Sequence, residues 1–410
     1  MNPRTERSPS SPRPCGKPAV VLFILTLVAF TVESQLTQYV QSTLHFRQPF
    51  FLFYIVHSSI AIIFPLHLLY LVLTTSASLE SLLAGLSLAV KIHFAPSDRS
   101  RLATLQSTFP YGRFLRLTAF LTFGLNFPSL LWFISVSLSP LCDITAIWNT
   151  NAFFAYIITV QLFKLDWEPR KLSAVLIATF GVIAVVYGDA RQPESSPHTT
   201  DHVAYTSKTV KPKAPLLGDL LTLCASVGYG LYQVLYNRHA ALHPDQEVEL
   251  GAAYVPLQDS DGLLADELGG GDKVVDLTYP PPFGLHPNLL ASGIGFMTLF
   301  LLWILLPILH YSGYERFRLP DNPTVTLSIA GIAVSGLIFN AGLLTLLGVW
   351  GPIVVSVGNL LTIVLVLLSD ISMGQGMDMI TPWNLAGSGG IIVAFGILVY
   401  DMVHHSQSHI

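Results

Sequence analysis

An all-α polytopic membrane fold, with ten transmembrane helices arranged as two inverted five-helix repeats, is what this 410-residue sequence predicts. Three observations carry the expectation. Asp, Glu, Lys and Arg make up only 11% of the chain and hydrophobic residues 51%, whereas soluble domains carry about 25% charge. Apolar stretches of the length a helix needs to cross a bilayer, about 20 residues, recur along the chain. Marker residues in the third to fifth of these stretches return in the eighth to tenth. So little charge excludes a soluble enzyme, and so much apolar sequence excludes a disordered scaffold.

The spans fall at 18–40, 50–74, 114–138, 140–163, 172–188, 215–236, 287–310, 325–349, 352–372 and 382–402. Residues 1–17 are rich in Ser, Pro and Arg and read as a disordered cytoplasmic tail. The run Pro18–Val40 is too long for a signal-peptide core and no small-residue cleavage site follows it, so it reads as the first span. Pro49, Pro140, Pro215, Pro287, Pro352 and Pro382 stand at or near span starts, where a missing N–H is harmless. In 75–113, Leu79, Leu82, Leu83, Leu86 and Val90 form a helical stripe, which predicts a helix near 78–93 lying on the cytoplasmic interface. Segment 190–213 reads as a linker between repeats 18–189 and 214–403. The acidic insert 237–286, with Gly269, Gly270 and Gly271 and then Pro280, Pro281 and Pro282, reads as disordered, and 404–410 as a tail.

With the N-terminus in the cytoplasm, the inner pieces hold more Lys and Arg than the outer ones, Arg113, Arg116, Lys164, Arg170, Lys171 and Arg238 among them, although 189–213 runs against the trend. Both termini are therefore expected inside. The repeat rests on spacing. Asn126 precedes Pro140, which lies 49 residues before Asp189; Asn340 precedes Pro352, which lies 49 residues before Asp401. Phe180-Gly181-Val182 and Phe395-Gly396-Ile397 fall near the two ends. An odd number of spans per repeat makes the second enter the membrane from the opposite side.

Polar groups in hydrocarbon are costly and generally face the bundle interior. Glu33 is the one acid well inside a span, a candidate proton-coupling group, unless the span ends early and leaves it among headgroups. Gln35, Thr37, Gln38 and Gln41 make its neighbourhood wet. His57, with Tyr54 and Ser58 in the second span, is a second coupling candidate or a structural donor. The fourth span is the most polar, with Asp143, Thr145, Trp148, Asn149, Thr150, Asn151 and Tyr156. Asn149 and Asn151 point about 200° apart on a continuous helix, so only one is expected to face a cavity. An aromatic plate beside an amide suits a ring-bearing polar solute; interhelical hydrogen bonding is the alternative. Tyr229, Tyr232, Gln233 and Tyr236 share one face of the sixth span, with Tyr232 and Gln233 expected at the cavity and Tyr236 in an interfacial belt. Asn340 and Asn359 are single amides, cavity groups or helix glue. Gly387, Ser388, Gly389 and Gly390 permit close helix approach, within the chain or in a homodimer seam.

Other chemistry finds little support. Cys15, Cys142 and Cys224 have no paired spacing. No phosphate-binding loop, metal motif or basic tract occurs, and His404 and His405 lack a carboxylate partner. No cofactor, metal or nucleic-acid partner is expected, only a small solute and the bilayer.

The stretch Thr145-Ala146-Ile147-Trp148-Asn149-Thr150-Asn151-Ala152-Phe153, then Trp167-Glu168-Pro169-Arg170-Lys171 and Phe180-Gly181-Val182, resembles the drug/metabolite transporter superfamily. The likeness is to its EamA-type and nucleotide-sugar-transporter-like (solute carrier family 35) fungal members. Gly218-Asp219-Leu220-Leu221, the run from Gly230 to Tyr236, and Glu33 to Gln41 followed by Arg47-Gln48-Pro49-Phe50-Phe51 are similar to the same family. The resemblance implies ten helices around a central cavity with spans 5 and 10 peripheral, and transport of a small polar organic solute across an endomembrane such as Golgi or vacuole. Spans 9 and 10 lack the basic residues of the sugar-phosphate branch, which argues against a phosphosugar. A non-transporting scaffold or trafficking protein that kept the fold is the alternative.

Overall fold

The computed structural model describes residues 16–95, 108–136, 138–139, 141–190, 214–242, 278, 280–372 and 381–408. Residues 1–15, nearly all of the expected linker, the body of the insert and Pro140 lie outside the described residues. Their regular structure is helical, with no strand among the described residues. The helices are α1 (Lys17–Ser42), α2 (Pro49–Ser59), a 3-10 turn (Ile60–Ile62) leading into α3 (Ile63–Thr74), α4 (Leu79–His93), α5 (Tyr111–Val136), α6 (Leu141–Asn149), α7 (Asn151–Phe163) and α8 (Pro169–Ala190). They continue with α9 (Pro215–His239), α10 (Leu285–Leu302), α11 (Leu305–Ser312), α12 (Pro323–Asn359), α13 (Leu361–Ser372) and α14 (Pro382–Ser408).

Seven helical stretches among the described residues are long and apolar enough to cross a membrane: Lys17–Gln41, Pro49–Thr74, Tyr111–Trp132, Pro169–Tyr187, Leu285–Ser312, Pro323–Asn359 and Pro382–His404. The expected fourth span is split at Thr150 into α6 and α7, the sixth (α9) is long but rich in polar and small residues, and the ninth is shared between the end of α12 and α13. The outer faces are greasy. On α1, Val21, Ile24, Leu25, Val28 and Val32 are all exposed, one helical stripe directed away from the bundle.

Prolines set the breaks. Pro65 cannot donate to the ladder, and the 3-10 turn at Ile60–Ile62 lies just before it. Ser292 of α10 repairs the gap: its hydroxyl accepts from the Phe64 N–H at 2.8 Å and reaches the Ile60 carbonyl at 3.4 Å. Such repair is what allows a broken helix at membrane depth. The break between α10 and α11 precedes Pro307 in the same way. In α12, Gly351 has φ 77° and ψ 170° immediately before Pro352, a conformation that favours glycine. Asn340 and Asn359 would stand about 28 Å apart on a straight helix, yet both line one small cavity. The chain therefore doubles back at Gly351.

Helices meet where glycine removes a side chain. A Cβ on Gly181 of α8 would lie 2.7 Å from the Gly387 carbonyl oxygen of α14, and one on Gly387 would collide with the Gly181 carbonyl oxygen. The glycine run of the tenth span is thus spent, at Gly387, on packing within the chain. α1 lies along α12, α5 along α9, and α10 against α2, α3 and α5. The main core runs through Leu121, Leu125, Tyr156, Tyr232, Tyr236, Ile294 and Leu346, so Tyr236, fully buried, is not part of an interfacial belt.

The insert is narrower than 237–286. Asn237 lies within α9 and donates to the Leu347 carbonyl at 2.8 Å, and Leu285 is fully buried. Helix α4 forms where its stripe predicts, capped by Ser78, whose hydroxyl accepts from the Ser81 N–H at 3.1 Å, with Lys91 and His93 in its last turn complementing the helix dipole. Leu82 and Leu86 pack with Leu71 and Leu285, while Leu79 and Leu83 face outward.

Candidate functional site

A cavity of about 330 Å³ opens between the helices. Its wall takes Phe30 and Glu33 from α1, Phe53 and His57 from α2, Leu125, Ser129 and Trp132 from α5, Trp148 and Asn149 from α6, Asn151 from α7 and Tyr229 from α9. Phe339, Asn340, Ser356 and Asn359 come from α12, with Leu360 and Thr362 after it. Among the described residues, α8 and α14 contribute nothing. The candidates Glu33, His57, Trp148, Asn149, Asn151, Asn340 and Asn359 are brought together.

Asn149 and Asn151 both reach the cavity, against the expectation from a continuous helix. Thr150, between α6 and α7, has φ −68° and ψ −4°, and its hydroxyl bonds the Ile147 carbonyl at 2.6 Å and the Ser226 hydroxyl at 3.0 Å. That local unwinding removes the 200° separation. Three other candidates stand outside the wall. The Tyr54 hydroxyl donates to the Leu299 carbonyl at 3.1 Å, which turns it toward α10. Gln233 is fully buried behind the wall, where its Oε1 accepts from the Ser356 hydroxyl. Tyr232 is 3% exposed and packs against Gly124 of α5. In the remainder of the fourth span, Asp143 accepts from the Tyr187 hydroxyl at 2.8 Å and the Tyr156 hydroxyl donates to the Glu168 carbonyl at 3.3 Å.

The wall's hydrogen-bonding groups lean toward acceptors. The side-chain nitrogens of Asn149, Asn151 and Asn340 donate to the carbonyls of Thr145, Trp148 and Gly336, each at 2.8 Å. A backbone carbonyl only accepts, so the nitrogen end of each amide is turned to its helix and uses one of its two N–H groups there, leaving the amide oxygen and the second N–H. Ser129 and Thr362 spend their hydroxyl hydrogens on the carbonyls of Leu125 and Asn359 at 2.8 and 2.6 Å. His57 Nδ1 lies 3.0 Å from the Phe53 carbonyl, so Nδ1 carries the hydrogen and Nε2 of the neutral ring is an acceptor. Glu33 Oε2 is buried and has no hydrogen-bond partner among the described residues. The wall's donors are the second N–H of each of those three amides, the indoles of Trp132 and Trp148, the Tyr229 hydroxyl and the Asn359 amide. Among the described residues no Lys or Arg lines it.

Aromatic rings complete the surface. Trp148 lies 5.1 Å from Tyr229 and 6.3 Å from Trp132, ring centre to ring centre. Phe30 and Phe339 are 4.7 Å apart, and Phe53 covers His57 at 4.1 Å. Gly336 makes room for the carboxyl, since a Cβ there would lie 2.5 Å from Val56 Cγ1 and 3.2 Å from Glu33 Oε1. The sequence reading passed over Ser129, Trp132 and Ser356. A tryptophan four residues after an intramembrane proline was a usable signal for Trp132; the two serines look like any serine in a span.

No family model matches the chain. It is 24% identical to the thiamine-repressible mitochondrial transport protein THI74 of Saccharomyces cerevisiae, over 92% of this chain and 90% of that one. It is 27% identical to an uncharacterised transporter of Schizosaccharomyces pombe, over 62% of this chain and 61% of the relative. An uncharacterised vacuolar membrane protein of Saccharomyces cerevisiae is 24% identical over 62% and 56% of the two chains. One crystal structure superimposes with a TM-score of 0.50 at 10% identity, covering 94% of this chain and 98% of the other, a likeness of fold alone. With its long apolar helices and these relatives, the chain is a multi-pass membrane protein similar along most of its length to a membrane transport protein.

Proposed function

We propose that this protein is a ten-span secondary transporter of the drug/metabolite type, built from two inverted five-span repeats that expose the central cavity to each side of the membrane in turn. The observation that carries the reading is the cavity itself. Both halves of the chain line it, it holds a carboxyl group deep in apolar surroundings, and it is sized for a small organic solute.

The helix contacts support the repeat. Numbering the expected spans 1 to 10, span 1 packs on 8 as span 6 packs on 3, and span 2 on 8 as span 7 on 3. Span 9 packs on 1 as span 4 on 6, and span 9 on 10 as span 4 on 5, while pairs 2–7 and 5–10 map onto themselves. Spans 2 and 7 each carry an interior proline, Pro65 and Pro307, preceded by a break.

The solute is polar and ring-bearing, offers donors to the amide oxygens of Asn149, Asn151 and Asn340, and carries positive charge or a proton-sharing nitrogen opposite Glu33. Trp148, Tyr229 and Phe339 supply the plates against which a ring stacks, with cation–π attraction added for a cation. A phosphate-rich cargo lacks its usual Arg or Lys clamps here. Glu33 and His57 are the groups that couple transport to protons. Both termini are cytoplasmic, and the membrane is an internal one.

Reconstitution into proteoliposomes with cationic, neutral and phosphorylated ring-bearing solutes tests this. Uptake of donor-rich solutes and none of the phosphorylated ones is expected. Glu33→Gln is expected to lower uptake about tenfold, the loss of one charge-assisted hydrogen bond, and to flatten its pH dependence. Failure of folded protein to move any member of the panel would sink the proposal, and an unchanged pH profile in Glu33→Gln would remove that residue from coupling.

A further inference from the structure

A second and larger cavity, about 820 Å³, lies where the last turn of α9, the first turns of α5 and the end of α4 converge. Arg113 and Arg116 enter it from α5 and Arg238 from α9, with His93 and His239 beside them. Leu117, Phe120 and Leu235 form its apolar part. Among the described residues no acidic residue lines it. Among the described residues none of the three guanidinium groups has a carboxylate within salt-bridge distance, the ion pairs there being Lys171 with Glu168 and with Asp401.

Each arginine spends a hydrogen bond on a backbone carbonyl. Arg113 donates to Phe94 at 2.6 Å, Arg238 to Leu162 at 3.0 Å and Arg116 to Gly112 of its own helix at 3.2 Å. These neutral acceptors, with the Phe163 ring centre 5.7 Å from the Arg238 guanidinium, fix the side chains; among the described residues the three charges have no counter-anion and most of the five N–H donors of each guanidinium are unused. Arginines that merely snorkel from span ends spread around a rim; these come from two helices and face one hollow.

We propose that this cavity binds a phosphate group, presented by the headgroup of an acidic phospholipid. Guanidinium forks match phosphate oxygens, and basic pockets between helices are where such headgroups seat. The apolar part argues for a lipid: Phe120 is half exposed on the same outward side of α5 as Phe123 and Phe127, so the hollow is continuous with the surface that acyl chains cover. Arg116 is nine residues from Leu125 of the central cavity, about 13 Å along α5. A headgroup here would tie α4, α5 and α9 together at one mouth of that cavity. The inference needs only the placement of the arginines and does not depend on the solute assigned above.

Native mass spectrometry of the purified full chain, titrated with phosphatidic acid, phosphatidylinositol or phosphatidylcholine of identical acyl chains, tests it. One saturable adduct of the acidic lipids is expected, at least about tenfold tighter than phosphatidylcholine. Arg116→Gln, which among the described residues loses one hydrogen bond, within its own helix, is expected to weaken that adduct about fivefold, and R113Q/R116Q/R238Q to abolish the preference. If the triple variant does not fold, Arg116→Gln alone decides. Equal retention of acidic and neutral lipid, or an unchanged preference in Arg116→Gln, overturns the proposal. Thermal protection by inorganic phosphate that Arg116→Gln removes, with no acidic-lipid adduct, overturns the lipid source and leaves phosphate as the ligand.

Discussion

Glu33 owes its position to a residue that has no side chain. Val56 and the Glu33 carboxyl both press on the space that a Cβ at Gly336 would occupy. Gly336→Ala is therefore expected to cost about 1–3 kcal/mol through overpacking, and also to move the carboxyl out of register with Asn340 one turn away. The check is a thermal-melt comparison with Gly389→Ala, where a Cβ meets nothing within 4 Å and the change is expected to stay within about 0.5 kcal/mol. If the two variants melt alike, the fit inferred at Gly336 is wrong. The amides behave in the same contextual way. Asn149, Asn151 and Asn340 turn their amide oxygens from their own helices because each has given one N–H to a carbonyl of its own helix.

Helices α8 and α14 stand off the cavity and pack on each other through Gly181 and Gly387. Gly387→Ala places a methyl against a backbone oxygen that cannot swing aside, and a loss of about 1–3 kcal/mol or more is expected; Gly396→Ala, which faces open space, serves as the control in the same melting assay. A second tie joins the connection between α11 and α12 to the start of α2. Glu315 accepts from the N–H groups of Phe50 and Phe51 at 2.9 and 3.0 Å, satisfying first-turn donors from outside the helix. Gln48 and Arg318 exchange two bonds beside it, at 2.8 and 3.0 Å. Burial pushes the Glu315 carboxyl above its usual 4.5, and the two backbone N–H groups only partly oppose that. The folded state then holds a proton that the unfolded chain releases, so stability falls as pH rises from about 4.5 through the folded value. The melting temperature of wild type minus that of Glu315→Gln is expected to be largest at low pH and to shrink upward. A flat or rising difference would show that the N–H groups outweigh burial.

The proposed arrangement of two five-span halves in opposite orientation has a consequence that labelling can read. Asp166, between α7 and α8, and Asp321, between α11 and α12, belong to connections expected on opposite faces, the first sharing its face with both termini. After Cys15, Cys142 and Cys224 are changed to serine, a cysteine at 166 should react with an impermeant maleimide only from the side that exposes a terminal tag, and a cysteine at 321 only from the other. Reaction of both from one side would exclude the inverted arrangement.

Composition and apolar run length were enough to identify a helical membrane protein, because hydrocarbon admits only self-satisfied backbone and few charges. They also pointed to Glu33 and to the polar fourth span, since such groups are too costly in lipid to lack a purpose. Which amides face inward was not legible. That depended on the unwound turn at Thr150, set by a hydroxyl of a helix 76 residues away. Tyr54, Tyr232 and Gln233 read as cavity residues from their polarity and helical face, yet contacts with Leu299, Gly124 and Ser356 take them elsewhere. Periodicity locates a face on its own helix and is silent about the neighbour that the face meets. The meeting of Arg113, Arg116 and Arg238 in one hollow likewise exists only once α5 and α9 are packed side by side.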